Sequence, residues 1–169
     1  MLDDDIVAAG ERLLEICRRK KLTVATAESC TGGLVAGMLT EIPGVSSMLD
    51  RGFITYSNQA KQEMLGVPAA TLEAHGAVSR ETAEAMAKGA LAHAPVDLAV
   101  SVTGVAGPDG GSDEKPVGLV HFAAASRSGQ LNHVEKEFGN PSRVEIRKRS
   151  VLQAIVMLQA LAERESGRG

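Results

Sequence analysis

Aromatic residues are nearly missing from this sequence, which holds three Phe, one Tyr and no Trp among 169 residues. Proteins that bind single-stranded nucleic acid usually stack bases on several aromatic side chains, and four rings cannot form such a platform. The formal net charge of -3 also excludes the basic surface that duplex binding requires. We therefore predict no nucleic-acid partner.

Cysteine is scarce as well, since only Cys17 and Cys30 are present. Two cysteines can form neither a disulfide framework nor a CxxC-type metal site, which is typical of a reducing compartment. The four histidines show no ligand spacing such as HExxH. We therefore expect no metal and no cofactor.

Long apolar runs are also missing. No segment approaches the roughly 20 apolar residues of a membrane-spanning helix, and the acidic, amphipathic N-terminal segment is unlike a secretory signal peptide. These features predict a cytoplasmic protein with no membrane partner. Hydrophobic residues nevertheless make up 44% of the sequence, which is enough for the core of a single domain over residues 1–169.

Hydrophobic periodicity predicts helices and strands in alternation. The expected strands cover residues 22–27, 52–57, 97–103, 117–125 and 130–138, and the expected helices cover residues 6–21, 34–42, 58–65, 80–93 and most of the segment after 142. Helices separate the early strands, and a hairpin near residues 128–129 joins the last two. We therefore predict an α/β fold, a three-layer sandwich with a mixed parallel and antiparallel sheet flanked by helices.

Polar residues mark the expected helix starts at Asn58, Ser79 and Ser142. Ser142 also forms a capping-box pair with Glu145. The apolar stripe of the last helix is expected at Val144, Val151, Ile155, Leu158 and Ala162. One interpretation of so long a stripe is a homodimer.

A turn from the first strand into the second helix carries hydroxyls, a thiol and two glycines, in the order Glu28-Ser29-Cys30-Thr31-Gly32-Gly33. Backbone N–H groups at a helix start can hold a phosphate or a developing oxyanion. Ser29 ranks before Cys30 as a nucleophile there, because thiol enzymes generally pair cysteine with a histidine and none is close in sequence. The alternative is that Ser29 or Thr31 only caps the helix.

Lys61 falls in the first turn of the third predicted helix, where the helix dipole disfavours a cation. A lysine that burial drives toward neutrality can act as the general base for a serine. The alternative is an exposed, solvated lysine without a chemical role.

Two further features suggest a ligand. The glycine-rich segment 103–111 follows a strand that is predicted to be buried, and ligands of open α/β sheets bind beyond the carboxyl ends of strands. Arg143 and Arg147 are four residues apart on one face of the last helix, near its start, from which arginines can reach a phosphate. The alternatives are a flexible connection and two solvated arginines.

Several ordered segments carry a family resemblance: TVATAESCTGGLVAGMLTEIPG (23–44), GFITYSNQAKQEMLGV (52–67), HGAVS (75–79), TGVAGPDGGSDEKPVGLVHFA (103–123) and the RxxxR pair. Together they resemble the C-terminal domain of the competence/damage-inducible CinA proteins, the nicotinamide-nucleotide amidohydrolases or NMN deamidases. The chain has no counterpart of the larger N-terminal domain of full CinA proteins, and it is therefore expected to be a stand-alone amidase. It departs from the family before Arg143, where it reads Gly139-Asn140-Pro141-Ser142 instead of the more usual Gly-Asp.

The resemblance implies hydrolysis of the carboxamide of nicotinamide mononucleotide (NMN) to nicotinate mononucleotide and ammonia, a step of NAD recycling. It also implies a serine/lysine mechanism in which Ser29 and Lys61 are the matching catalytic residues. Tyr56 and Thr103 are expected to orient Lys61 or the nicotinamide. The residues expected to bind this small-molecule nucleotide are Cys30, Thr31, Gly32, Gly33, Gly104, Gly107, Arg143 and Arg147.

Two other functions remain open from the sequence. One is a non-catalytic nucleotide-binding module that assists competence or DNA-repair proteins. The other is an amidase for a different amide, because the motifs specify acyl chemistry better than they specify the base. A catalytic role requires that the Ser29 and Lys61 side chains lie within hydrogen-bond reach, whereas a binding module does not.

Overall fold

The structure, a computed structural model, describes residues 3–168. Residues 1, 2 and 169 of the predicted domain lie outside this range. The helices are α1 (Asp4–Lys20), α2 (Leu34–Leu39), α3 (Asn58–Leu65), α4 (Ala69–His75), α5 (Arg80–His93) and α6 (Arg143–Arg164). The strands are β1 (Val24–Glu28), β2 (Leu49–Ile54), β3 (Leu98–Gly104), β4 (Leu119–Ser126) and β5 (Leu131–Glu137).

The five strands form one sheet in the order β2-β1-β3-β4-β5. Strands β2, β1 and β3 run parallel, whereas β4 pairs antiparallel with β3, and β5 pairs antiparallel with β4. The prediction of a mixed sheet is therefore confirmed. Because parallel strands end at the same edge, the chain leaves β2, β1 and β3 at one side of the molecule.

Helices cover both faces of the sheet. Alternate residues of β3 point to opposite faces, as strand geometry requires. Leu98, Val100 and Val102 belong to the larger core, which packs beneath α1, α2 and α6. Ala99 belongs to a smaller core with Leu72 of α4 and with residues of α3 and α5. The predicted three-layer sandwich is confirmed.

Small residues allow the helices of the second face to pack closely. Gly89 of α5 lies against the main-chain carbonyl of Leu65, the last residue of α3, and a Cβ atom at position 89 would clash with that oxygen. Alanines of the sheet, among them Ala99 and Ala123, lie beneath α5. This packing fixes α3, which carries Lys61, against the body of the protein.

Some predicted boundaries and caps differ from the structure. Strand β2 begins earlier than predicted and ends at Ile54, so residues 55–57 form a connection. The N-cap of α3 is Ser57, whose Oγ accepts a hydrogen bond from the Ala60 N–H at 3.0 Å, and the prediction of Asn58 as the cap is wrong. Helix α4 was not predicted, because seven residues after Pro68 carry too little apolar periodicity.

The last helix also differs in detail. Ser142 Oγ accepts from the Glu145 N–H at 3.1 Å, but the Glu145 carboxylate pairs with Arg149, so only half of the capping box forms. Val144 is 58% exposed and does not belong to the apolar stripe. The rest of the stripe is buried in the larger core of this chain. The homodimer stays a prediction, and the stripe no longer supports it.

Candidate active site

A cavity of about 330 Å³ lies where β2, β1 and β3 end, which is the edge where open α/β sheets bind ligands. Ser29 follows β1, Lys61 follows β2, and the glycine-rich loop follows β3. Six residues with predicted roles and a functional side chain line the cavity: Ser29, Cys30, Tyr56, Lys61, Thr103 and Arg143. Gly104 and Gly107 also line it.

Lys61 and Ser29 form a buried pair. Lys61 Nζ donates a hydrogen bond to Ser29 Oγ at 3.0 Å and further ones to the main-chain carbonyls of Thr55 at 3.0 Å and Tyr56 at 3.3 Å. Lys61 is only 1% exposed, so the alternative of a solvated lysine is wrong. Within residues 3–168 no acidic side chain forms an ion pair with Lys61.

Burial lowers the pKa of Lys61 below its ordinary value, and the opposing influence of the neighbouring Cys30 is smaller. The three oxygens around the amine carry no net charge, so the loss of hydration is not offset by a carboxylate partner. Burial therefore shifts the equilibrium toward the neutral amine, which is the form that can accept a proton from a hydroxyl.

Glu28, at the end of β1, organises the turn that carries Ser29. Its buried carboxylate accepts hydrogen bonds from the hydroxyls of Thr31 at 2.7 Å and Thr26 at 3.1 Å. It also accepts from the backbone N–H groups of Val35 at 2.8 Å and Ala36 at 3.1 Å, at the start of α2. Sequence reasoning missed this residue, although an acidic residue at the end of a buried strand and just before a short helix was a visible signal.

The backbone N–H groups of the turn are only partly free. The Gly32 N–H donates to the Ser29 carbonyl at 3.0 Å. Those of Cys30, Thr31 and Gly33 find no oxygen acceptor in the part of the chain that the structure describes. The side of the turn formed by Thr31, Gly32 and Gly33 does not line the cavity.

Cys30 is a poor nucleophile. Its side chain is buried, and this burial is the main reason that its pKa is raised to about 12. A thiol with such a pKa is protonated near neutral pH, whereas the thiolate is the reactive form. The geometry and the burial therefore both favour Ser29, as the sequence predicted.

The two arginines of α6 lie on different sides of the site. Arg143 lines the cavity, where its Nη1 donates to the Gly107 carbonyl at 2.7 Å and its Nη2 to the Tyr56 hydroxyl at 2.9 Å. Arg147 is not among the residues that line the cavity. Its Nε donates to the Cys30 carbonyl at 3.1 Å and its Nη2 to the Thr31 carbonyl at 3.2 Å.

Thr103 and Tyr56 do not hold Lys61 through their side chains. The Thr103 hydroxyl donates to the Ala77 carbonyl at 2.8 Å, and Tyr56 contacts Lys61 only through its main-chain oxygen.

Sequence reasoning also missed Thr55, whose carbonyl binds Lys61 and whose own hydroxyl is the one buried side-chain N or O atom within residues 3–168 that has no partner. Such unpaired buried groups call for a specific explanation and occur at catalytic sites.

The described residues also bear on metal binding and on membrane spanning. Within the described range, no group of three or more His, Cys, Asp or Glu residues is arranged to hold a metal ion. None of the helices between residues 3 and 168 combines the length and the apolar character needed to cross a membrane.

The family is evident from comparison with known proteins. The model of the CinA C-terminal domain matches residues 7–162 of this chain. The chain belongs to the CinA C-terminal domain family. The resemblance found in the sequence is thereby confirmed.

The chain matches relatives of two lengths. The nicotinamide-nucleotide amidohydrolase PncC of Escherichia coli (strain K12) is 45% identical over 158 residues, which cover 94% of this chain and 95% of that protein. A putative competence-damage inducible protein of Caldicellulosiruptor bescii is 55% identical over 131 residues, which cover 75% of this chain but 32% of that protein. The chain thus spans about a third of the length of the longer relatives.

Solved CinA structures share the fold. The competence/damage inducible protein CihA from Agrobacterium tumefaciens matches with a TM-score of 0.94 and 52% identity, covering 95% of this chain and 98% of that one. A CinA superfamily protein from Klebsiella pneumoniae 700603 matches with a TM-score of 0.89 and 32% identity, covering 95% and 99%.

Proposed function

We propose that this protein is an amidohydrolase that converts the carboxamide of NMN into the carboxylate and ammonia, with Ser29 as nucleophile and Lys61 as general base. The observation that carries the proposal is the 3.0 Å contact between the buried Lys61 Nζ and Ser29 Oγ in a cavity. The substrate class comes from the PncC nicotinamide-nucleotide amidohydrolases of E. coli and Shigella flexneri, at 45% and 51% identity.

The reaction begins when neutral Lys61 takes the proton of Ser29 Oγ while that oxygen attacks the carboxamide carbon. The oxyanion of the tetrahedral intermediate needs hydrogen-bond donors, and the backbone N–H of Cys30, which follows Ser29 and lines the cavity, is the backbone candidate in this turn. Protonated Lys61 then delivers its proton to the departing nitrogen, so that ammonia leaves and an acyl-Ser29 ester remains.

The second half repeats the first with water as the nucleophile. Neutral Lys61 accepts a proton from the water molecule, whose oxygen attacks the ester carbon. Collapse of the intermediate breaks the bond to Ser29 Oγ, and the proton held by Lys61 returns to that oxygen. The enzyme is regenerated, and the net change is addition of one water and release of ammonia and the acid.

Arg143 is the residue that we propose for the phosphate of the nucleotide. A guanidinium has five N–H donors, and two of its nitrogens, Nη1 and Nη2, each use one donor on Gly107 and Tyr56. The remaining donors can bind phosphate oxygens beside the glycine-rich loop. Arg147, which was predicted for the same role, does not line the cavity and binds the carbonyls of Cys30 and Thr31 instead.

The predictions on localisation, partners and cofactors enter the proposal unchanged. We propose that the protein acts in the cytoplasm on a small-molecule nucleotide, without a nucleic-acid or membrane partner. It uses no cofactor in this scheme, because a serine nucleophile and a lysine base complete the hydrolysis.

The proposal is tested by measuring ammonia release from NMN, free nicotinamide and glutamine with the wild type, Ser29→Ala and Cys30→Ala. We expect the wild type and Cys30→Ala to release ammonia from NMN, and Ser29→Ala to release none above background. Release mainly from glutamine would identify an amidase for a different amide. If the wild type binds NMN but releases ammonia from no substrate, the chain is a binding module instead.

A further inference from the structure

Two oppositely charged side chains grip the turn that carries Ser29, and neither lines the cavity. Glu28 holds the turn from the protein interior, and Arg147 holds it from α6. We infer that Glu28 and Arg147 are positioning residues, which set the geometry of the nucleophile and its backbone donors and thereby control the rate of acyl transfer rather than the binding of substrate. The inference rests on the proposed function of the site.

Glu28 connects the two halves of the catalytic pair. Its carboxylate accepts from the Thr31 hydroxyl, a bond that closes the chain around Ser29 and Cys30. Its main-chain carbonyl accepts from the Thr55 N–H at 2.8 Å, and the Thr55 carbonyl in turn binds Lys61 Nζ. One buried residue therefore fixes both the segment that carries the nucleophile and the segment that holds the base.

Glu28 also fixes the start of α2. Its carboxylate occupies the N–H groups of Val35 and Ala36, which removes them as donors for any ligand. Four donors to a single buried carboxylate leave it little freedom to move. Glutamine at this position has the same shape but one acceptor oxygen instead of two, and its NH2 group meets donors rather than acceptors.

Arg147 determines the direction of a free backbone donor. The Cys30 carbonyl and the Thr31 N–H belong to one planar trans peptide, so they point in opposite directions. Because Arg147 binds that carbonyl, the free Thr31 N–H is directed away from Arg147. The Ser29 carbonyl and the Cys30 N–H likewise belong to one planar peptide. Because the Gly32 N–H binds that carbonyl, the free Cys30 N–H points in the opposite direction.

Misplacement of such groups affects rate more than binding. A displacement of about 1 Å from a productive geometry costs on the order of 100-fold in rate. Substrate contacts are unaffected when the displaced group touches only the backbone behind the site. Arg143, one turn earlier on α6, lines the cavity, and its guanidinium binds Gly107 and Tyr56 there. A change at Arg143 is therefore expected to affect substrate binding more than rate.

The test compares Glu28→Gln and Arg147→Lys with Arg143→Lys and with Glu73→Gln, an exposed glutamate far from the turn in sequence. Lysine keeps the positive charge of arginine but lacks the planar guanidinium, whose separate nitrogens can donate to two carbonyls at once. Steady-state kinetics with NMN give kcat and KM. The covalent reaction of a fluorophosphonate with Ser29 gives the number of reactive sites and the rate constant of each.

We expect Glu28→Gln and Arg147→Lys to lower kcat by about 10- to 100-fold with KM within about twofold, and the fluorophosphonate rate constant to fall in parallel. The number of labelled sites per folded molecule should stay the same. Arg143→Lys should mainly raise KM, and Glu73→Gln should change neither constant. If Glu28→Gln does not fold, Arg147→Lys still decides the outcome.

Three results would overturn the inference. A higher KM with unchanged kcat in Arg147→Lys would make Arg147 a substrate ligand. Fewer labelled sites with an unchanged rate constant would mean that the residues serve stability alone. A wild type that fluorophosphonate does not label would overturn the proposed function as well. If the wild type is labelled but does not hydrolyse NMN, only the proposed substrate fails, and the labelling rates of the variants still test the positioning role.

Discussion

The end of β1 and the start of α3 each bury an ionisable side chain, and their surroundings differ in kind. Glu28 receives four hydrogen bonds, two from hydroxyls and two from backbone N–H groups. Lys61 has two carbonyls and one hydroxyl around its amine, and burial lowers its pKa. The first environment holds a charge and builds a rigid turn, whereas the second favours release of a proton. Stability and reactivity are thus divided between two neighbouring regions.

The largest expected effect is a loss of activity when the Lys61 amine is removed. Lys61→Ala removes the base, and we expect kcat for NMN to fall by about 10³-fold. Substrate affinity should be nearly unchanged, because the amine bonds to Ser29 and to the backbone. Ammonia release measures the first quantity and calorimetric titration with NMN the second. A loss of affinity alone would instead make Lys61 a phosphate ligand.

The next effect compares how much Glu28 and Lys61 each contribute to the free energy of unfolding. Glu28→Ala leaves the N–H groups of Val35 and Ala36 without their acceptor, which should lower the free energy of unfolding by about 3 kcal/mol. Lys61→Met removes a costly buried amine and should change it by less than about 1 kcal/mol. Urea denaturation at pH 7 measures both variants. Equal losses would show that the two regions contribute alike to stability.

A third effect concerns pH. Because the pKa of folded Lys61 lies below its ordinary 10.5, the unfolded chain binds more protons between these two values. The free energy of unfolding should therefore rise with pH in that window, by at most about 1.4 kcal/mol per unit. In the same direction, kcat/KM should rise with pH and level off below pH 10.5. In Lys61→Met, this pH-dependent contribution to the free energy of unfolding should be absent. A rise of kcat/KM with its midpoint above pH 10.5 would contradict the assignment of Lys61 as the base.

The smallest effect concerns the cap of α3. Ser57→Ala removes the hydrogen bond to the Ala60 N–H and should lower the free energy of unfolding by about 1 kcal/mol. Asn58→Ala is the matched control, because Asn58 was the cap predicted from the sequence, and it should change that energy by less than about 0.5 kcal/mol. Denaturation curves of both variants under one condition check the difference.

The sequence predicted the fold class from local signals, whereas the pairing of Ser29 with Lys61 was expected from the family resemblance. Period-two and helical patterns identified the five strands and five of the six helices. A turn rich in hydroxyls and a cation in a first helical turn made Ser29 and Lys61 candidates, and the family resemblance decided between a chemical role and a structural one. The end of β2 was misplaced, since residues 52–57 are all compatible with a strand, whereas the strand ends at Ile54 and the Thr55 carbonyl binds Lys61 instead.

The rest of the site depends on contacts between distant parts of the chain. Arg143 and Arg147 look equivalent in sequence, and they differ only because one faces Gly107 and Tyr56 while the other faces the turn after β1. The role of Glu28 was missed for a related reason. Its partners include backbone N–H groups, which every residue except proline carries and which sequence patterns therefore do not distinguish.

The near absence of aromatic residues has a practical consequence for Tyr56. It is the single tyrosine in a chain without tryptophan, so it supplies the tyrosine-band fluorescence of the whole protein. The residue is 60% exposed and lines the cavity, and its hydroxyl accepts a hydrogen bond from Arg143. A nucleotide that engages Arg143 therefore changes the emission of one defined fluorophore, and binding can be read in the unlabelled protein, including in variants that no longer turn over.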